Sequence, residues 1–140
     1  MCIRDRTRVN GALYPFGHGL SYTTFAYSNL AIKQETPYSQ SPVTVTVDVT
    51  NTGKRAGDEV VQLYIRDKVS SVIAYESVLR GFERISLQPG ETRKVSFTLL
   101  PEDLQILDRH MQWTVEPGEF EVRIGASSTD IKLKDTFVVK

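Results

Sequence analysis

From Val43 to Asn51 the chain reads VTVTVDVTN, with valine at every second position and Thr44, Thr46, Asp48 and Thr50 between them. Side chains of a strand alternate between faces, so this period of two puts four β-branched residues on one face and a polar set on the other. An amphipathic helix needs its apolar residues three and four apart, which this segment does not offer. The segment is therefore a half-buried antiparallel strand, and its valines need a second apolar layer to cover them.

Further segments supply that layer. In DEVVQLYIRD, Val61, Leu63 and Ile65 point one way, while Val60 and Tyr64 lie on a second, partly covered face. In LRGFERISL the alternation is imperfect, and Gly81 in mid-strand predicts a bulge or a close backbone approach. Val95, Phe97 and Leu99 form another inward row, as do Phe120, Val122 and Ile124. MQWTV reads the same way, with Met111, Trp113 and Val115 on a core face, the alternative for Trp113 being to stack on a sugar as aromatics in carbohydrate modules do. Gln88–Glu91 (QPGE) predicts a type II turn, with proline then glycine at its centre, and Glu116–Glu119 (EPGE) predicts the same turn again. Pro101 heads a short helical turn over PEDLQILD. About eight short strands with turn chemistry between them make an all-β, two-sheet antiparallel sandwich of immunoglobulin-like type.

Composition narrows the function. Lys+Arg and Asp+Glu are both 17, so the basic excess of a nucleic-acid binder is missing. Cys2 is the one cysteine, which rules out an internal disulfide and a cysteine-type zinc site. No apolar run approaches the roughly 18 residues of a membrane span. No Gly-x-Ser-x-Gly, His-Glu-x-x-His or phosphate-binding glycine loop occurs. The opening MCIRDR fits no strand or motif, and its codons can spell a transposon-end sequencing adapter. Residues 1–6 are therefore read as a non-native leader, the alternative being a genuine basic tail.

Tyr14–Phe25, YPFGHGLSYTTF, crowds aromatics, glycines, a proline and a histidine ahead of the β pattern. This stretch with VDVTNTGKRAGDEVVQLYIRD, LRGFERISLQPGETRKVSFTL and WTVEPGEFEVRIGASS resembles the C-terminal fibronectin type III-like domain of glycoside hydrolase family 3, the β-glucosidases and β-xylosidases. The resemblance runs from about Ala12 to Val139 and departs from the family pattern at AYESV before LRGF. It implies a non-catalytic module without cofactors, whose partners are upstream catalytic domains of the same polypeptide. Those domains would hydrolyse β-glucosides or glucans with retention, through two carboxylates about 5 Å apart. It also implies a periplasmic or secreted parent.

On this reading residues 7–24 are a hinge from an upstream domain and residues 25–140 the sandwich. Tyr14, Pro15, Phe16, Gly17, His18, Gly19, Tyr22 and Phe25 are the candidate interdomain packing residues. Aromatics bury large areas at interfaces, Pro15 stiffens the backbone, and the glycines permit turns. Part of the hinge should be exposed when the neighbour is absent. Tyr75, in the loop before LRGF, is a candidate for the rim of the parent's substrate site. His110, beside Asp108 and Arg109, reads as a solvated loop histidine. Asp58–Glu59 and Glu116/Glu119 lie at a strand start and around a turn, not across a cleft. Asn51 and Asp58 are expected to brace the loop between them. The competing reading is an independent carbohydrate-binding or adhesion sandwich, which needs a row of exposed aromatics. The chain offers only Tyr38, Tyr64 and Tyr75, scattered.

Overall fold

The computed structural model describes residues 13–38, 40–72 and 76–140. The expected leader, the first residues of the hinge and Tyr75 lie outside them.

Among the described residues nine strands run in chain order: β1 (Phe25–Gln34), β2 (Val43–Asn51), β3 (Gly57–Asp67), β4 (Val78–Leu87), β5 (Thr92–Leu99), β6 (Ile106–Leu107), β7 (Trp113–Thr114), β8 (Gly118–Gly125) and β9 (Ile131–Val139). They form a three-stranded sheet in the order β1-β2-β5, a four-stranded sheet β4-β3-β8-β9, and a two-residue ladder β6-β7. All of these pairings are antiparallel. A single-turn 3₁₀ helix, Pro101–Leu104, follows β5 with its proline at the start as expected, but it stops short of the PEDLQILD span because Ile106–Leu107 pair as β6.

The core is what the alternation dictates. Val43, Val45, Val47 and Val49 of β2 are buried against Val61, Leu63 and Ile65 of β3, with Val95 and Leu99 of β5 and Phe120, Val122 and Ile124 of β8. Each such side chain removed from water contributes about 1.5–3 kcal/mol before entropy is charged against it. Phe120 stacks on Phe137, ring centres 5.6 Å apart, across the β8-β9 pair.

Gly81 fulfils both expectations attached to it. The β3-β4 register slips between Leu63 and Tyr64, leaving an extra residue on β4, so Val78 and Leu79 change faces relative to a regular strand. A Cβ at Gly81 would sit 2.9 Å from the Phe97 ring, so the two sheets meet closely there. The QPGE turn also forms as read: Gly90 has φ +77° and the Glu91 amide donates to Gln88 O at 3.0 Å.

Three expectations are corrected. Gly118 begins β8 and is not among the left-handed glycines, so EPGE is no second type II turn. The reason is topological: β7 pairs with β6 rather than with β8, and no hairpin reversal is required there. Trp113 and Met111 are 68% and 76% exposed, because they belong to a short ladder and its turn outside the core, not to an inner strand. In that turn Met111 has φ +61°, and the Asp108 carboxylate accepts the amides of His110 and Gln112. Val115 alone of the three packs on the core. Tyr64 is buried, in keeping with the partly covered outer face read for β3, and its hydroxyl donates to Gln62 Oε1, so it leaves the set of scattered surface aromatics.

Candidate functional site

The arm Leu13–Thr24 leads into β1. Pro15 O accepts the His18 amide at 3.0 Å and Gly17 has φ +78°, which is type II turn geometry with Gly17 at the position that favours glycine. The turn lies on β3. Gln62, buried on the outer face of β3, donates from Nε2 to Gly17 O at 3.0 Å and to Ala126 O at 2.8 Å. Phe16 O accepts the Ser128 amide at 2.9 Å. A Cβ at Gly17 would meet Gln62 Oε1 at 2.1 Å, so the residue is constrained by close approach as well as by φ.

The arm's last residues are held as firmly. Thr23 Oγ1 donates to Asn51 Oδ1 at 2.7 Å, and Thr24 O accepts the Thr52 amide at 2.9 Å. Asn51 is 0% exposed and spends its whole amide: Oδ1 also accepts the Gly53 amide, and Nδ2 donates to Arg55 O and Leu87 O. The loop after β2 is glycine-bearing because Thr23 fills the space; a Cβ on Gly53 or Gly57 would collide with its side chain. Asn51 braces this loop as expected. Asp58 does not: its carboxylate instead accepts from Arg84 at Nε (3.0 Å) and from Ser86 Oγ (2.6 Å), across to β4. Those hydrogen bonds, Ser86 first and then Arg84, hold the Asp58 carboxyl below its usual pKa.

The arm's large apolar side chains are exposed, among them Tyr14, Phe16, Leu20 and Tyr22, the last two at 94% and 93%. Tyr14 and His18 lie with ring centres 5.5 Å apart. Gly19 and His18 border a polar cleft of about 460 Å³ that also takes in Tyr27, Glu59, Asp130 and Lys132. Burial first, and Asp130 after it, raises the Glu59 carboxyl above the usual glutamate pKa. Phe25 differs from the other hinge candidates, being half-buried against the core cluster.

One apolar residue at this surface escaped the sequence reading. Phe82 is 69% exposed on β4, directly opposite Gln62, where the arm crosses. Its shared parity with Arg84 and Ser86 was the available signal, obscured by the bulge beside Gly81.

The carboxylates singled out earlier are occupied structurally. Glu116 accepts from the Ser71 amide and hydroxyl, and Glu119 pairs with Lys68 at 2.8 Å. Ser127 Oγ accepts the Asp130 amide in a turn. Among the described residues no three His, Cys, Asp or Glu side chains gather as a metal site.

Comparison with known proteins matches this arrangement. The fibronectin type III-like domain family covers residues 59–128, from β3 through β8 and the turn beyond it. A β-xylosidase of Formosa agariphila is 50% identical over 122 residues, 87% of this chain and 17% of its own. A periplasmic β-glucosidase of Salmonella typhimurium is 46% identical over 89% of this chain and 16% of its own. The crystal structure of a GH3 β-glucosidase from Bifidobacterium adolescentis superposes with a TM-score of 0.84 at 32% identity, over 90% of this chain and 18% of its own. The chain thus spans about one sixth of the length of these relatives. With two packed antiparallel sheets and a matching core segment, the chain belongs to the fibronectin type III-like domain family.

Proposed function

We propose that the chain is a non-catalytic C-terminal module of a family 3 glycoside hydrolase, docked on upstream domains of the same polypeptide through its arm. The observation that carries this is the arm's division of labour. Its backbone is hydrogen-bonded onto the sandwich at Phe16, Gly17 and Thr24, and its Thr23 hydroxyl to Asn51, while Tyr14, Phe16, Leu20 and Tyr22 are exposed. A rigidly presented apolar surface suits a permanent neighbour. Tyr14, Phe16 and Tyr22 supply contact area; Pro15, Gly17 and Gly19 set the path; His18 offers a polar group at the joint; Phe25 anchors the arm in the core. Phe82 extends the face.

The parent would cleave β-linked glycosides with its own upstream carboxylate pair, and this module would hold the catalytic domains in register by burying their apolar surface. The test is to delete residues 13–140 from a family 3 enzyme carrying this module. A lower melting temperature or lower soluble yield is expected. Unchanged melting temperature and activity would reject the reading.

A further inference from the structure

A second opening lies where β3 ends, away from the loop that receives Thr23. It is a cleft of about 390 Å³ with an apolar floor of Ile65, Leu104 and Phe120, and Trp113 stands at its edge, 68% exposed. That volume is within the usual range for small-ligand sites, which combine apolar walls with a few convergent polar groups. The polar groups here are Asp67, Asp103, Arg80 and Gln105. Asp67 Oδ1 accepts the Val69 amide at 3.1 Å and Asp103 Oδ2 accepts the Leu100 amide at 2.8 Å, so a backbone amide orients each carboxylate through one oxygen.

We propose that this cleft binds one pyranose ring of a neutral saccharide, stacked on Trp113. The chemistry selects that class. Two carboxylates against one guanidinium disfavour an anion. The carboxylates accept hydroxyl protons, Arg80 and Gln105 donate to hydroxyl oxygens, and the indole covers the C–H face of the ring. The apolar floor accounts for a ligand with a non-polar side rather than a fully hydrated ion. This site is separate from the arm and does not depend on the docking role proposed for it.

Trp113 is the chain's one tryptophan, so its fluorescence reports this cleft alone. Cellobiose and xylobiose are the probes, read by tryptophan emission and by saturation-transfer NMR on the sugar. Saturable binding in about the millimolar range is expected. Read by saturation transfer alone, since they lack the fluorophore, Trp113→Ala should weaken it about tenfold and Trp113→Tyr less, with the fold intact because the side chain is largely exposed. Arg80→Ala should weaken it several-fold. A variant with Tyr14, Phe16, Leu20 and Tyr22 all changed to serine should bind as the parent chain does. No emission change and no saturation transfer at about 50 mM of either sugar, in a folded chain, would overturn the proposal. So would equal binding by Trp113→Ala. If Trp113 is shielded from iodide in a longer polypeptide and neither form answers to sugar, the cleft belongs to a neighbouring domain instead.

Discussion

β2 and the arm are both rich in apolar residues, yet they meet water in opposite ways. β2 buries Val43, Val45, Val47 and Val49 almost completely; the arm leaves Tyr14, Phe16, Leu20 and Tyr22 in solvent. The difference lies in what fixes the backbone. β2 is the central strand of its sheet, paired on both sides, so period-two sterics force one face inward. The arm is held by single hydrogen bonds at Phe16, Gly17, Thr23 and Thr24, and no strand ladder sets its side chains. Apolar content alone therefore does not predict burial in this chain. Pairing fixes the face a residue takes, and the opposing sheet decides whether that face is buried: Phe82, paired to Gln62 on the outer face of β4, stays 69% exposed.

The sharpest way to test that contrast is to remove atoms from the ladder-bound core. Leu63, fully buried at the centre of β3, should lose about 2–5 kcal/mol on Leu63→Ala, measured by denaturant unfolding. A loss below about 1 kcal/mol would mean that the two sheets do not interlock as described. Asn51 comes next. Asn51→Ala removes partners from Leu87 O, Arg55 O, the Gly53 amide and Thr23 at once. Because Leu87 O is bonded to it in a buried setting, about 1–3 kcal/mol is the expected cost. Faster amide exchange at Thr52, whose donor bond runs to Thr24, should accompany it.

The arm should answer differently. Serine at Tyr14, Phe16, Leu20 and Tyr22 together should shift the stability of this chain by less than about 1 kcal/mol, since exposed side chains contribute little. Binding of a hydrophobic dye should fall. In a longer polypeptide carrying the upstream domains, the same four changes should lower the melting temperature by several degrees. Equal effects in both contexts would erase the distinction between core and arm.

Most of the sandwich was legible because its strands carry their burial in a two-residue period and its sharp turn carries Pro89-Gly90. The failures cluster where local pattern and topology part. Trp113 alternates with Val115 as a core residue would, but β7 is two residues long and pairs outside the sandwich. Gly118 sits in a Pro-Gly pair, but no hairpin is closed there. Val60 and Tyr64 pointed to a partly covered outer face of β3, but no single segment reveals that Gln62 and the arm's turn are what close it, so Tyr64 was still counted among the exposed aromatics. Asp58 looked like a loop brace because its partners, Arg84 and Ser86, lie on the next strand. Each miss depends on which elements become neighbours, and pairing is not written in any single segment.

The smallest effect expected concerns Glu59, where β3 passes beneath the arm. Burial raises its pKa above the ordinary 4.5, Asp130 adds to the rise, and the Val60 amide, Lys132 and Tyr27 act against it. A carboxyl whose folded pKa exceeds its unfolded value binds its proton more tightly in the native state. Stability from this group is therefore fully present below pH 4.5 and is lost as pH rises through the folded value. Glu59→Gln removes the buried charge while keeping the side chain's shape, so it should raise the melting temperature at pH 7 and have little effect below pH 4.5. Asp58, Glu91, Glu116, Glu119 and Glu121 titrate in the opposite sense, each held down by hydrogen bonds, and their stabilisation is lost as pH falls through the folded values. Comparing the variant with the parent chain across pH cancels those five and isolates Glu59. Destabilisation at pH 7 would show that the charge is compensated by Lys132 and the surrounding cleft, and that the surface beneath the arm is more polar than its burial implies.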